Sequence, residues 1–332
     1  MKKFHLYISS SKDTKIKKYF KKSIILLIVV IILQIPLSRI QPAKMPWSVG
    51  SLIVYKKLNI EIIYFCDSVL GHVDKDDQCK DNLLVMLGKM LPQYSVKAVA
   101  SGAYGPDLYY PMCKYMIKNN YHPKVIIVPV NLRSFSSEWD KNPNYQFEEE
   151  KNCLAYDSFL FRLFYRAFQV FKLNERKVSW NDYENSPVYD GNVFAGYVKD
   201  YINLKGANDE NMKKKLIFFY MSSISDKHRK IVSLKKIAQL YKNSNTKIIF
   251  YITPLDYQTG EKYLGSRFKE TVQENASVIK SVLQKEGYSV IDMSVSLDSD
   301  VFSWTGWPNE HLKYEGRSFL AKMLKERITA EN

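Results

Sequence analysis

The sequence predicts an α/β protein built on a doubly wound, five-stranded parallel sheet, and two observations support this. Short apolar runs rich in β-branched residues alternate with stretches of helical pattern along most of the 332 residues. Three of these runs are almost continuously hydrophobic, which is typical of strands buried on both faces of a parallel sheet. The predicted strands are Ile60–Cys66, Val96–Ala100, Val125–Val130, Lys247–Ile252 and Tyr288–Ile291.

Helical patterns fill the intervals between these strands. In the last of them Leu312, Leu320 and Leu324 recur in approximate helical register, and Gly287 stands where the helix before it would end. A strand followed by a helix, repeated along the chain, favours a doubly wound sheet. The predicted helices cover about 78–91, 107–119, 226–243, 262–286 and 312–327.

One interval, residues 132–215, contains no good strand and interrupts this rhythm. It holds 17 of the 46 aromatic residues, and a structureless loop of that length is unusual in a compact domain. We therefore expect a mostly helical insertion, with a helix near 153–172, that covers part of the carboxyl edge of the sheet. Its aromatic rings would either stack on sugars or form the core of a small subdomain.

The N-terminus carries a basic block followed by an apolar run. Residues 1–22 contain eight lysines and one aspartate, and residues 24–37 are apolar apart from Gln34. This pattern predicts a cytoplasmic tail (1–22), a signal anchor or transmembrane helix (23–40), a linker (41–59) and an extracytoplasmic domain (60–330). A cleaved signal peptide and a buried helix are the alternatives.

Composition and charge exclude other classes of protein. Of the net charge of +15, residues 1–22 beside the apolar run carry +7, and this placement favours a membrane over nucleic acid as the partner. The four cysteines show no C-x-x-C spacing, so a structural zinc site is not expected, and their pairing stays open. We predict no metal and no cofactor.

Polar residues that could carry chemistry follow the predicted strands at their carboxyl ends, where open α/β sheets bind ligands. Ser68 follows the first strand, Gly102 the second and Asn131 the third, and His311 precedes the last helix. A serine nucleophile, a histidine base and donors for an oxyanion together make a hydrolytic site. The predicted oxyanion donors are the N–H groups of Ser68 and Gly102 and the Asn131 amide.

At these positions the chain resembles the SGNH hydrolases, also called GDSL-type esterases. The stretch that begins Cys66-Asp67-Ser68 is similar to the family's Gly-Asp-Ser-Leu block, and Gly102 through Gly105 to its Gly-x-x-Gly turn. Asn131 matches the third block, and Pro308 through Leu312 resemble the Asp-x-x-His-Leu block. The resemblance spans about 60–327 and implies a flavodoxin-like sandwich with esterase or acyltransferase activity.

Two departures from the family pattern bear on catalysis. Cys66 replaces the first glycine, and Pro308 stands where the resemblance places the acid of a catalytic triad. Glu310 is the candidate replacement acid, and Asp298 and Asp300 are within the same loop. Three interpretations stay open: a Ser–His dyad, a triad with a relocated acid, or a site without catalytic activity.

Further residues beside the predicted site are candidates for substrate binding. These are Asp67, Tyr104 and Arg133; for Arg133 a structural ion pair is the alternative. Residues 71–79 include a histidine, three aspartates and a cysteine, which suggests a metal site. The preferred interpretation is that Asp76 and Asp77 cap a helix that starts near residue 78.

Three functional hypotheses follow. The first is a membrane-tethered, extracytoplasmic esterase or O-acyltransferase that acts on acyl esters of a cell-envelope polysaccharide. The second is a catalytically inactive glycan-binding or assembly factor with the same fold. The third is a structural partner of a membrane-bound O-acyltransferase. The expected partners are a cell-envelope glycan or acyl donor and the membrane.

Overall fold

The computed structural model describes residues 9–40, 46–136, 139–140, 145–155, 209–303 and 309–330. It confirms an α/β fold with a five-stranded sheet in which every pairing is parallel and the order is β2-β1-β3-β4-β5. The strands are β1 (Ile62–Cys66), β2 (Val96–Ala100), β3 (Val125–Val130), β4 (Lys247–Ile252) and β5 (Val290–Asp292).

Helices connect the strands and cover both faces of the sheet. They are numbered here in chain order through the described residues. Their bounds are α1 Ser9–Ile40, α2 Trp47–Lys57, α3 Leu83–Met90, α4 Pro106–Lys118, α5 Glu148–Ala155, α6 Asp209–Tyr220, α7 Arg229–Tyr241, α8 Tyr257–Leu264, α9 Ser266–Lys285 and α10 Tyr314–Thr329.

The core lies on both faces of the sheet, as the continuous apolar runs predict. All five residues of β1 are buried. Ile63 and Phe65 pack with α2, α4, α7 and α9 on one face, whereas Ile62, Tyr64 and Cys66 pack with α3 and α10 on the other. Because successive side chains of a strand point to opposite faces, a strand in this position must be apolar at every residue.

The strand order defines where a ligand site belongs. β1 is followed by β2 on one side, whereas β3, β4 and β5 extend the sheet on the other side. The chain therefore changes direction between β1 and β3, and the crevice beyond their carboxyl ends is the topological switch point of a sheet of this order. The residues after Cys66 and after Val130 leave the sheet there.

Two predicted elements differ from the structure. The helix expected from residue 78 begins at Leu83, because Asn82 Oδ1 accepts the Val85 N–H and caps it. The helix expected over 262–286 is two helices, α8 and α9, which meet at Gly265 with a φ of 68°.

Residues 41–59, expected to be a linker, contain α2. Val49 and Leu52 on this helix are buried in the core. The Ser51 hydroxyl donates to the Trp47 carbonyl one turn earlier. The helix is therefore part of the folded domain.

The predicted insertion is described at its two ends. α5 lies within residues 132–215, and α6 begins there and ends at Tyr220. The helix expected near 153–172 falls largely outside the described residues. α6 contributes Met212, Leu216 and Phe218 to the buried core.

The chain divides into two compact units, and α1 belongs to the first while the sheet and its helices belong to the second. α1 is 32 residues long and contains the apolar run of the predicted signal anchor. Ile25, Leu26 and Leu27 on it are exposed. Within the part of the chain that the structure describes, no helix is long and apolar enough to cross a membrane. The anchor at 23–40 stays a prediction of the sequence.

Candidate active site

Ser68 lies at the carboxyl end of β1 and is exposed between two buried neighbours, Asp67 and Val69. The Asp67 carboxylate holds this turn, because its Oδ1 accepts the Val69 N–H at 2.9 Å. Such a side-chain-to-backbone bond over two residues fixes a turn without regular structure. The buried neighbours anchor the backbone and leave the Ser68 hydroxyl in the crevice.

His311, which is 243 residues later in the sequence, lies beside Ser68 in the structure. Its Nε2 lies 3.3 Å from Ser68 Oγ, a distance typical of a nucleophile and base before substrate binds. The His311 backbone is held at both ends: its N–H donates to Asn309 Oδ1 at 2.9 Å, and its carbonyl accepts the Ser303 N–H at 2.8 Å. The structure thus brings together the two residues predicted as nucleophile and base.

The environment of His311 favours the neutral imidazole. Burial, the nearby guanidinium of Arg133 and the adjacent imidazole of His72 lower the pKa of His311 to about 3. The His72 ring packs edge-on against it, with 4.9 Å between centroids. A neutral histidine can accept the serine proton at physiological pH, but with this pKa it is a weak base.

Asn131, at the end of β3, is bound to the nucleophile loop through Asp67. Its Nδ2 donates to Asp67 Oδ2 at 3.0 Å, and its Oδ1 accepts the Arg133 N–H at 3.0 Å. Burial raises the pKa of Asp67. Asp67, a predicted substrate-binding residue, is thus used to tie β1 to β3. The Asn131 amide has a second hydrogen, which is the one an oxyanion would use.

Gly102 lies in the exposed turn after β2. Because Cys66 pairs with Ala100 in the parallel ladder, Ser68 and Gly102 leave the sheet on adjacent strands at the same edge. A Cβ on Gly102 would meet nothing within 4 Å, so the position does not require glycine for space. The next residue, Ala103, has a φ of 64°, which marks a tight turn.

Tyr104, predicted to bind substrate, has a structural position instead. It is buried, and its hydroxyl oxygen lies within hydrogen-bond distance of Ser48 Oγ at 2.9 Å and of Glu150 Oε1 at 3.3 Å. These bonds join the turn after β2 to α2 and α5.

Glu310 and Arg133 form a buried ion pair beside the site. Arg133 Nη2 lies 3.4 Å from Glu310 Oε2, and Tyr220 donates its hydroxyl to Glu310 Oε1 at 2.5 Å. The Arg133 guanidinium also lies over the Trp139 ring, 5.2 Å from its centroid. The Glu310 carboxylate is therefore engaged by α6 and by the loop after β3, not in the arrangement expected of a relocated triad acid. Arg133 takes the structural role that was its alternative.

Asp298 and Asp300, the other acids considered, contact groups outside the Ser–His pair. Asp298 Oδ1 accepts from Gln258 Nε2 at 2.8 Å, and the Asp300 backbone carbonyl accepts from Lys313 Nζ at 2.6 Å.

Tyr220, which donates to Glu310, was missed by the sequence analysis. It stands 90 residues before Glu310 and belongs to no motif.

Residues 71–79 form an irregular loop, and Asp77 does not cap a helix there. Its carboxylate pairs with the buried Arg317 at 2.7 Å and accepts the Tyr314 N–H at 3.0 Å. Among the described residues, no group of three or more potential ligands could hold a metal ion. Cys66, Cys79 and Cys113 are free thiols, and burial raises the pKa of Cys66 and Cys113.

The chain matches no protein-family model and no curated protein. Among solved structures it is similar to LAE5, an α/β-hydrolase enzyme from the metagenome of Lake Arreo, Spain, at 10% identity and a TM-score of 0.38. That similarity covers 81% of this chain and 96% of LAE5. The identity and the TM-score are too low to support an inference about activity.

Proposed function

We propose that this protein is an SGNH-like serine esterase or O-acyltransferase, with Ser68 as the nucleophile and His311 as its base. The observation that carries the proposal is the 3.3 Å approach of His311 Nε2 to the exposed Ser68 Oγ at the switch point of the sheet. An exposed hydroxyl beside a buried, neutral imidazole is the minimal arrangement for nucleophilic acyl transfer.

The reaction follows from these positions. Ser68 Oγ attacks the acyl carbonyl carbon as His311 Nε2 takes the hydroxyl proton. The N–H groups of Ser68 and Gly102 and the second hydrogen of the Asn131 amide stabilise the oxyanion. The C–O bond of the ester then breaks, and His311 returns the proton to the leaving alcohol. Water completes hydrolysis of the acyl-serine, whereas a sugar hydroxyl completes a transfer.

For the substrate and location we propose acyl esters of a cell-envelope polysaccharide, reached from a membrane anchor. The support is the sequence of the N-terminus, with its lysine block followed by the apolar run 24–37. Extraction of membranes with alkaline carbonate tests the anchor: the full chain stays in the pellet if it is anchored and enters the supernatant if it is not.

A second candidate is a catalytically inactive glycan-binding or assembly factor that works beside a membrane-bound O-acyltransferase. The observation in its favour is the electrostatics of His311, whose low pKa weakens it as a base. The contacts of Glu310 with Tyr220 and Arg133 also support an inactive factor, because this carboxylate is bound by groups other than His311.

Fluorophosphonate labelling of the full-length protein separates the two candidates. We expect the wild type and Ser101→Ala to label, and Ser68→Ala and His311→Gln not to label. Ser101 is the matched control, because it is an exposed serine that follows the neighbouring strand β2. Absence of labelling in a folded wild type would favour the inactive factor.

A further inference from the structure

A cleft of about 1130 Å³ lies between the loop 72–79 and the start of α10. His72 lines it, and the ring of His72 packs against that of His311 while its Nε2 lies 2.9 Å from Ser303 Oγ. The cleft thus begins one side chain away from the base of the proposed site. It would accommodate a chain of several sugar rings.

The walls of this cleft are built by buried and charge-assisted bonds. The Arg317 guanidinium bridges the Asp77 carboxylate and the Leu312 carbonyl, both at 2.7 Å. From the solvent side, Lys80 Nζ donates to the carbonyls of Asp74 and Lys75 at 3.3 and 2.7 Å. An irregular loop held in this way keeps its shape before a ligand arrives, which lowers the entropic cost of binding.

The lining of the cleft has the chemistry of a saccharide site. Tyr314 is exposed in it, and an aromatic face packs well on the C–H face of a pyranose ring. Carboxylates and an amide accept and donate hydrogen bonds to hydroxyl groups. Four carboxylates and two ammonium groups line the cleft, and one of the four is neutralised by Arg317: Asp74, Asp76, Asp77, Glu315, Lys75 and Lys313. The small acidic excess disfavours a polyanion.

The reaction also assigns an orientation. In acyl transfer His311 exchanges its proton with the oxygen of the alcohol, so that oxygen must lie within hydrogen-bond reach of the imidazole. The oxyanion donors on Gly102 and Asn131 follow β2 and β3, whereas the cleft begins at His72 beside His311. The remainder of the alcohol can therefore extend past His72.

We propose that the cleft between residues 72–79 and 313–315 binds the alcohol part of the substrate, a neutral oligosaccharide, with Tyr314 as its stacking platform. This orientation rests on the proposed function, but binding of the saccharide does not require an active serine.

The test is ligand-observed NMR on the full-length protein in detergent, with cellohexaose, xylohexaose, mannohexaose and chitohexaose as probes and hexagalacturonate as the anionic comparison. We expect at least one neutral probe to bind wild type and Ser68→Ala equally. Tyr314→Ala should weaken that binding at least tenfold, and Gln78→Ala should weaken it too. Tyr314→Ala preserves the backbone N–H that bonds Asp77, so the wall stays intact.

Phe319→Ala is the matched control, because Phe319 is an exposed aromatic residue on the same helix outside the cleft lining. The proposal is overturned if no neutral probe binds, if hexagalacturonate binds more tightly than all of them, or if Phe319→Ala weakens binding as much as Tyr314→Ala. Failure of the proposed function is a separate result: Ser68 would not label, whatever the saccharide data.

Discussion

We expect the free energy of unfolding to decrease at acid pH because His311 is buried. The perturbation is a fall in pH from 7 to 4.5, applied to the wild type and to His311→Gln. In the folded protein the pKa of His311 is about 3, against an ordinary value of 6.5. Over this window the unfolded chain therefore binds a proton that the folded protein does not bind, and stability must fall as the pH falls.

The size of the effect follows from the two pKa values. Integrating the difference in bound protons between pH 7 and pH 4.5 gives about 2 to 3 kcal/mol of lost unfolding free energy from this histidine alone. Other groups titrate in the same window. Both proteins carry them, so the difference between wild type and His311→Gln isolates the histidine.

Urea unfolding of the two full-length proteins at each pH measures this difference. We expect the wild type to lose about 2 to 3 kcal/mol more than His311→Gln on acidification. Equal losses in the two proteins would refute the buried environment of His311 and the low pKa that results from it. A smaller loss in the wild type would indicate a carboxylate that stabilises the imidazolium.

Three further outcomes follow from the described contacts. The rate at which fluorophosphonate labels Ser68 should change less than about twofold between pH 7.5 and pH 5, because the base stays neutral; an ordinary histidine would lose more than about tenfold. Arg317→Met should cost about 3 to 5 kcal/mol in urea unfolding, because it leaves the Asp77 carboxylate buried without its partner; a loss under 1 kcal/mol contradicts this. Gly260→Ala should cost about 1 to 3 kcal/mol, since the new methyl overlaps the buried Phe268 ring; unchanged thermal stability would disprove the close contact.

The centre of the sheet was predictable because β1, β3 and β4 are buried on both faces. Burial requires an apolar residue at every position, and that requirement is visible in the local sequence of β3 and β4, whose bounds match the prediction. The doubly wound, parallel character of the sheet was predictable from the alternation of strands with helices, and the flavodoxin-like arrangement was implied by the resemblance to the SGNH hydrolases. The position of Ser68 at the carboxyl edge was predictable for the same reason, since it follows β1, whereas His311 was predictable from its place just before the last helix.

The predictions that were wrong concern residues whose partners are distant in the sequence. Asp77 has the local pattern of a helix cap, but Arg317, 240 residues later, takes its carboxylate, and the helix begins at Leu83. Glu310 has the local position of a relocated acid, but Tyr220 and Arg133 hold it. No local pattern encodes such pairings, because a buried charge takes whichever partner the fold brings to it.

α2 was missed for another reason. Its residues lie within 41–59, which was predicted to be the linker between the signal anchor and the domain. The helix is buried through Val49 and Leu52 against the core. The hydrophobic face of a short helix is hard to identify when its neighbours in space are unknown.

The central claim is that Ser68 is a nucleophile made reactive by His311. Mass spectrometry of the full-length protein after reaction with a fluorophosphonate tests it most directly, with digestion to locate the adduct. We predict a single adduct on the peptide that contains Ser68, lost in Ser68→Ala and retained in Ser101→Ala. An adduct on another serine, or none on a folded wild-type protein, would contradict the account.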